Sequence, residues 1–371
     1  MISIDVIVPS YRLLGEYLIS IVQMDIPDDT QVRYLIIGDN PEVETPAGLI
    51  PLIDNKKVIL MRNSTNLGVC RTRNVGIDNS IADWIFFIDD DVKPAKNLLF
   101  QYTETIKSKP DEIGFFGNAI FPPPINNYTR GLAVSGILTF FSIGKQFEHL
   151  RWAPTLNVMI KRSAIGDTRF NMVFDKFGAS EEIDFFLTIY RSTGKELCAV
   201  KNAPVFHDWW YGGKRNYSRF IRWAGGFTIL INNFPENTFY NFPNMIESLL
   251  LGSCIVIPIA IYLHLPLLLI CFLAGIFIGE CGVEFLRLLL SRGLRKSIYV
   301  IGVVRVRMAL DYGKLITQFK YHKVIGHFGK RFDHFSSRKR IAMVRRWGAL
   351  KFMTYILTPV ILYMLLNYLF H

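Results

Sequence analysis

Cysteine is scarce in this chain. Cys70, Cys198, Cys254, Cys271 and Cys281 are the only five among 371 residues. Their spacing makes neither a disulfide framework nor a metal-ligand set, which points to a reducing compartment. A leader is missing too: Met1 runs directly into Ile2 to Val8 with no basic flank or long apolar core, so the N-terminal domain is expected in the cytoplasm. No glycine-rich phosphate loop follows the first strand, where Pro9-Ser10-Tyr11-Arg12 stands, and this argues against a nucleotidyltransferase. Motifs for reading nucleic acid are also absent, so the net charge of +11 needs another explanation.

Charge itself is missing from one long stretch. Residues 248–279 contain no Asp, Glu, Lys or Arg, and as helix they would run about 48 Å at ~1.5 Å per residue, too long for one untilted crossing of a ~30 Å hydrocarbon core. His264-Leu265-Pro266 divides the stretch, giving either a helical hairpin or one kinked crossing. Phe352 to Phe370 adds 19 uncharged residues. Acid is scarce between these spans: residues 284–351 carry 17 basic and 3 acidic side chains, whereas the first 247 residues carry 25 and 27. Such a basic segment suits anionic headgroups and, by the positive-inside rule, the cytoplasm. Within it Ile298 to Phe319 interleaves apolar residues with Arg305, Arg307 and Lys314, as in a helix lying on a membrane surface. With a hairpin, the N-terminal domain stays on the cytoplasmic side and the last helix carries His371 outward.

What is present is an acidic edge. Trp84 to Ile88 is a short apolar run that ends in Asp89-Asp90-Asp91 and is stopped by Pro94, the pattern of a buried parallel strand delivering carboxylates to its C-terminal end. Ligands of open α/β sheets sit at such ends. Three adjacent carboxylates repel one another unless a cation neutralises them, and hard oxygen ligands suit Mg²⁺ or Mn²⁺, which suit phosphates in turn. A solvated Asp-rich turn would contain the same residues, so the rest of the chain decides. Ile4 to Val8, Val32 to Ile37 and Val58 to Met61 read as further strands alternating with helical stretches, and residues 95–108 and 112–120 as a surface helix and another strand. The order predicts a doubly wound sheet that binds a nucleotide. Residues 121–150 have no clear period, and the uncharged Gly131 to Gly144 is too short to span a bilayer.

Several short motifs fit this plan. Val8-Pro9-Ser10-Tyr11, Gly38-Asp39-Asn40, Asn66-x-Gly68, Arg73-Asn74-x-Gly76 and Asp89-Asp90-Asp91 follow one another, and Glu181-Glu182-x-Asp184, His207 and Arg219-x-x-Arg222-Trp223 come later. Over residues 3–235 this series resembles a family 2 glycosyltransferase of GT-A fold. It departs from the family at Gly38-Asp39-Asn40, where an Asp-Asp ending is commoner, at Thr72 in place of Ala, at Glu182 in place of Asp, and at Arg219, where processive synthases carry Gln in Gln-x-x-Arg-Trp.

The resemblance implies an α/β fold: a Rossmann-like, doubly wound, mostly parallel GT-A sheet over residues 1–240, then a membrane hairpin (241–283), a basic interfacial segment (284–350) and a C-terminal span (351–371), about three transmembrane helices in all. Pro9, Tyr11, Asp39, Asn66, Gly68, Arg73, Asn74 and Asp90 would bind the donor nucleotide. Asp89, Asp91 and His207 would hold Mn²⁺ or Mg²⁺, and Arg219, Arg222 and Trp223 would meet acceptor and diphosphate. The base is one of Glu182, Glu181 and Asp184, with Glu182 at the family's position; acids in a helix's first turn also stabilise it by roughly 0.3–1 kcal/mol apiece.

The expected protein is a metal-dependent inverting glycosyltransferase of the bacterial inner membrane with its catalytic domain in the cytoplasm. It would use a nucleotide-sugar, a UDP-sugar first, and a polyprenyl-linked or saccharide acceptor in cell-surface polysaccharide synthesis. A processive synthase is the alternative, and an inactive sugar-binding assembly subunit a remote one. Membrane lipids are expected partners, nucleic acid is not, and homo-oligomerisation is left open.

Overall fold

A computed structural model describes residues 1–175 and 177–370; His371 lies outside them. The chain forms two compact units, residues 1–123 with 137–213, and residues 124–136 with 214–371.

The first unit is built on a mixed nine-stranded sheet. Its strands are β1 (Ile2–Ser10), β2 (Thr30–Gly38), β3 (Val58–Arg62), β4 (Trp84–Ile88), β5 (Val92–Pro94), β6 (Gly114–Ile120), β7 (His149–Leu150), β8 (Asn157–Lys161) and β9 (Leu197–His207). The order is β3-β2-β1-β4-β8-β6-β9-β5, with β7 on β9. The first four strands are parallel, as the alternating pattern predicts, and β8 enters antiparallel to β4. The apolar run of β4 is buried along its whole length. Phe87 meets Phe170 and Phe185 edge-on, and those two rings stack at 4.0 Å. At the other end of the sheet, Asp5 is fully buried. It accepts two 2.8 Å bonds from Arg33, and others from Ser80 and the amides of Ile81 and Ala82. Burial alone would raise this carboxyl, but Arg33 and the amides outweigh it and leave it below its ordinary value. β1, β2 and the entrance to β4 are thereby tied at one end, so that the opposite end carries the acids.

The second unit is helical, with a two-stranded sheet of β10 (Thr238–Tyr240) and β11 (Lys330–Phe332). Three of its helices are long and apolar enough to cross a membrane: Met245–Tyr262, Pro266–Arg292 and Arg338–Leu369. The first two are joined at His264, whose φ is 55°, and Gly252 of one faces Phe272 of the other. Residues twenty apart in straight helix would lie about 30 Å from each other, so the chain reverses between these two helices. Asn127–Ser135, which has no clear period in the sequence, is a helix capped by Asn126 and Thr129 and ended at Gly136, whose φ is 87°. The helix Val300–Lys320, expected on a membrane surface, is packed within this unit. Gly302 lies against Gly131 and Gly313 against the Ile221 backbone. Lys314 is buried and bonds Glu247 at 3.1 Å. Small residues that admit neighbouring backbones explain the difference, since the apolar count alone does not report them.

Candidate active site

Beyond Ile88 the chain turns through Asp89, Asp90 and Asp91 into β5, and Val92 pairs with His207 of β9. This register brings His207 Nε2 to 3.6 Å from Asp91 Oδ1. The histidine's tautomer follows from its neighbours. Nδ1 lies 2.6 Å from the Asp208 carbonyl oxygen, to which it can only donate, and Trp210 Nε1 donates to Nε2 at 3.1 Å. Nε2 is therefore unprotonated, the form a cation needs, and the Trp210 N–H is what it would yield to one. Phe121 stacks on the ring at 4.7 Å and fixes its plane.

The other two aspartates have different surroundings. Asp90 accepts from Ser10 Oγ at 2.6 Å, and burial together with the Asp91 and Asp89 charges pushes it up to about 6. Burial likewise raises Asp89, against the pull of Arg73, whose Nη2 donates to it at 3.1 Å. Arg73 is buried, and its Nη1 donates to Glu181 at 2.9 Å. One guanidinium thus ties the end of β4 to the opening of the helix Glu181–Thr193. Arg12, about half exposed, reaches Asp91 Oδ2 at 3.3 Å and leaves Oδ1 facing the histidine.

The three candidate bases share that helix's first turn. The residue before it, Ser180, has φ 78°, a left-handed conformation that a serine adopts at a cost and that aims the following acids. Glu181 is taken by Arg73, and Asp184 is buried. Glu182 remains: burial, with the neighbouring Glu181 charge, raises it well above its ordinary value, and its Oε2 is buried without a hydrogen-bond partner.

Several donor-site candidates are committed inside the protein. Asp39 is buried and accepts from Asn63 Nδ2 and the amides of Leu67 and Gly68, at 2.8, 2.9 and 3.0 Å. Asn66 Oδ1 accepts from the Gly68 amide at 3.1 Å. Gly68 has φ 90°, and a Cβ there would meet the Asp175 side chain at 2.5 Å, so only glycine fits. Asp175 accepts from the Cys70 amide at 2.7 Å, placing its carboxylate at the N-terminus of the helix Val69–Asp78. Asn74 holds both backbone groups of Phe170, at 2.8 and 2.9 Å. These residues shape the loop. Pro9 lies within β1, and Tyr11 is exposed just beyond it.

Arg219, Arg222 and Trp223 lie in the second unit on the helix Ser218–Asn233, with the Arg219 guanidinium 5.7 Å from the Trp223 ring centre. Ser10, Arg12, Asp175 and Trp210 were not among the candidates. Ser10 alone had a signal, its place in the opening motif. Elsewhere in the first unit, Glu112, His149 and Cys198 bring ligand atoms within 4.8 Å of one another. Pairing of β7 with β9 causes this, and sequence spacing does not disclose it. The Lys109 ammonium stands 3.1 Å from the Cys198 sulfur.

Residues 5–177 match the model of glycosyl transferase family 2. The succinoglycan biosynthesis protein ExoM of Rhizobium meliloti (strain 1021) is 25% identical over 202 residues, 52% of this chain and 63% of that protein. The matched stretch therefore spans less than two thirds of that relative. Among solved structures, S. aureus TarS 1-349 in complex with UDP is 12% identical with a TM-score of 0.44, over 86% of this chain and 92% of that one. GalNAc-T7 with UDP, GalNAc and Mn2+ is also 12% identical, with a TM-score of 0.43 over 62% and 48%. The match to glycosyl transferase family 2 thus lies on residues 5–177, the part that holds the acidic strand end and the loops that frame it.

Proposed function

We propose that this protein transfers a sugar from a nucleotide-diphosphate donor, a UDP-sugar, to a lipid-linked or saccharide acceptor, with inversion at the anomeric carbon. The reaction would serve cell-surface polysaccharide synthesis at the cytoplasmic face of the bacterial inner membrane. The observation that carries this reading is the Asp91–His207 pair, a carboxylate oxygen and an unprotonated imidazole nitrogen facing each other at 3.6 Å.

That donor set fits a divalent ion that accepts both oxygen and imidazole, Mn²⁺ or Mg²⁺, held by Asp91 and His207 with Asp89 beside them. When bound, the ion supplies positive charge to a departing diphosphate. Trp210 keeps Nε2 unprotonated and Asp208 fixes the opposite nitrogen, so the imidazole is ready as a ligand. Glu182 takes the acceptor hydroxyl's proton as that oxygen attacks the anomeric carbon and the sugar–phosphate bond breaks; a single displacement inverts the centre. Arg73 keeps Glu181 paired and thereby leaves Glu182 as the basic group.

Purified protein is to be incubated with a panel of nucleotide-sugars and Mn²⁺ or Mg²⁺, and release of free nucleoside diphosphate followed. Release with one donor and an added acceptor, lost on chelation, is expected; release that ignores chelator rejects the metal assignment. The Arg219-x-x-Arg222-Trp223 motif favours a second reading, a processive synthase. Three candidate spans can hardly enclose a path for polar polymer, so addition of one or a few sugars to a polyprenyl-linked acceptor is expected. Long water-soluble product made inside vesicles would favour the synthase.

A further inference from the structure

The helix Pro266–Arg292 ends in an open groove of about 790 Å³. Arg287, Leu290, Ser291, Arg292, Gly293 and Lys296 line it, and no carboxylate does. The geometry points to this groove as a binding site for the phosphate of a membrane lipid. The inference rests on the reading of these helices as membrane-spanning, and is independent of the sugar-transfer chemistry.

Height is the first argument. A hydrocarbon core of ~30 Å takes about 20 helical residues, which from Pro266 ends near residue 285. A second ruler runs beside it. Gly275 meets Pro359 and Gly279 meets Thr354, so the helix Arg338–Phe370 lies antiparallel. Its last charged residue, Lys351, reaches Glu280 and Glu284, each at 2.6 Å. Both helices turn from apolar to charged at one level, and Arg287, Arg292 and Lys296 stand just past it, where lipid phosphates lie.

Charge is the second. Arg287 gives Nε to Glu284 at 2.7 Å, while its Nη2 is buried without a hydrogen-bond partner. A buried N–H donor of that kind calls for an acceptor from outside the chain. Arg292 and Lys296 are exposed, and among the described residues no carboxylate lies within salt-bridge distance of either. Three cations around one groove match the oxygens of a phosphate.

Uncovered apolar side chains separate a lipid from free phosphate. Leu290, on the same groove, is 72% exposed, and Leu294 and Ile298 beyond it are 64% and 65% exposed. Cations beside uncovered apolar side chains suit a headgroup with its chain attached.

The full chain in detergent is to be titrated with short-chain phosphatidic acid, with phosphatidylcholine of the same chains, and with inorganic phosphate. Retained lipid is counted by native mass spectrometry. Wild type is expected to hold one phosphatidic acid at least roughly tenfold more tightly than phosphatidylcholine, as for a charge-assisted contact. The double substitution Arg292→Gln with Lys296→Gln, at exposed positions without ion pairs, is expected to remove that preference while keeping the wild-type melting profile. Equal retention of the two lipids, or an unchanged preference in the double variant, overturns the proposal. Displacement of the lipid by equimolar inorganic phosphate overturns the lipid source. If the double variant does not keep its melting profile, Arg292→Lys with Lys296→Arg, which retains the charges, must keep the preference or the proposal falls. Nucleotide binding is measured on the same preparations. Failure of the sugar-transfer reading leaves the lipid preference standing, and failure of the lipid site leaves nucleotide binding standing.

Discussion

The two units treat their carboxylates in opposite ways. Around the acidic edge of the first unit, Asp89, Asp90, Asp91, Glu181 and Glu182 share two arginines, Arg12 and Arg73. In the second unit Glu247, Glu280 and Glu284 are held by five cations, Arg287, Arg307, Lys314, Arg331 and Lys351. Acids outnumbered by cations act as fasteners between helices, because removing any one partner leaves another. Where acids outnumber their cations, burial raises Asp89, Asp90 and Glu182 in pKa, and oxygens are left for an ion or a proton. The same residue types thus fasten helices in one region and leave carboxylate oxygens uncompensated in the other.

The contrast breaks most sharply at Asp91. Asp91→Ala is expected to lower turnover by roughly 10³-fold or more, as for loss of a metal ligand at a developing diphosphate charge. The fold should persist, since this side chain is a quarter exposed and ties no core element. Metal titration by calorimetry together with the turnover rate checks this; normal transfer in chelator would exclude the role. Arg73→Leu should do the reverse. Its removal leaves Asp89 and Glu181 without their shared buried partner, at a cost of about 3–5 kcal/mol, read as a large drop in denaturation midpoint.

Glu182→Gln comes next, with turnover lower by roughly 10²-fold and nucleotide binding retained. Burial and the Glu181 charge raise this carboxyl, so it stays protonated above the ordinary carboxylate range. As a base it must be ionised, so kcat/KM should fall with decreasing pH through that raised value, and the limb should vanish in the Gln variant. Stability follows the same linkage: the folded state binds this proton more tightly than the unfolded state, so this group's contribution is full below the ordinary carboxylate value and is lost as pH rises from there through the raised pKa. Glu182→Gln should therefore gain on wild type in melting temperature as pH rises. If Asp184→Asn alone removes the limb, Asp184 is the base.

Lys351→Met tests the fasteners. Glu284 keeps Arg287 and Arg307, and Glu280 keeps the Tyr355 hydroxyl. Redundancy limits the expected loss to about 1–3 kcal/mol, below that of Arg73→Leu in the same assay. An equal or larger loss would mean that the surplus cations do not substitute for one another.

The comparison also marks what the sequence makes legible. Trp84 to Asp91 could be read because a strand period and a charge cluster are local signals, and the loop glycine Gly68 because a backbone needing positive φ admits few residues. The Arg73 clamp on Glu181, the Asp175 cap on Cys70 and the Trp210 donor to His207 depend on pairings across the sheet or between distant loops. Asp39 shows the limit well: its position suggested a ligand contact, while its oxygens organise the loop of Leu67 and Gly68. The helix Asn127–Ser135 did carry end signals, Asn126 and Gly136, but its mixed composition hid the period between them.

The smallest effect expected is at the other arginine of the acidic edge. Arg12 and Arg73 bear the same charge and touch the same run of aspartates, but Arg12 is half exposed and its contacts, 3.3 Å to Asp91 and 3.7 Å to Asp90, lie at the rim. Water competes for both, and such pairs contribute about 0–1 kcal/mol before salt screening lowers it further. Arg12→Gln should therefore leave the denaturation midpoint close to wild type, in contrast to Arg73→Leu. Its effect should appear in binding: with one cation fewer beside Asp91, a divalent ion meets less competition, and metal affinity should rise a few-fold in calorimetry at low salt, with the gain shrinking as salt is added. A loss of stability comparable to that of Arg73→Leu would make Arg12 part of the internal clamp, and unchanged metal affinity at every salt concentration would remove Asp91 from the ion's surroundings.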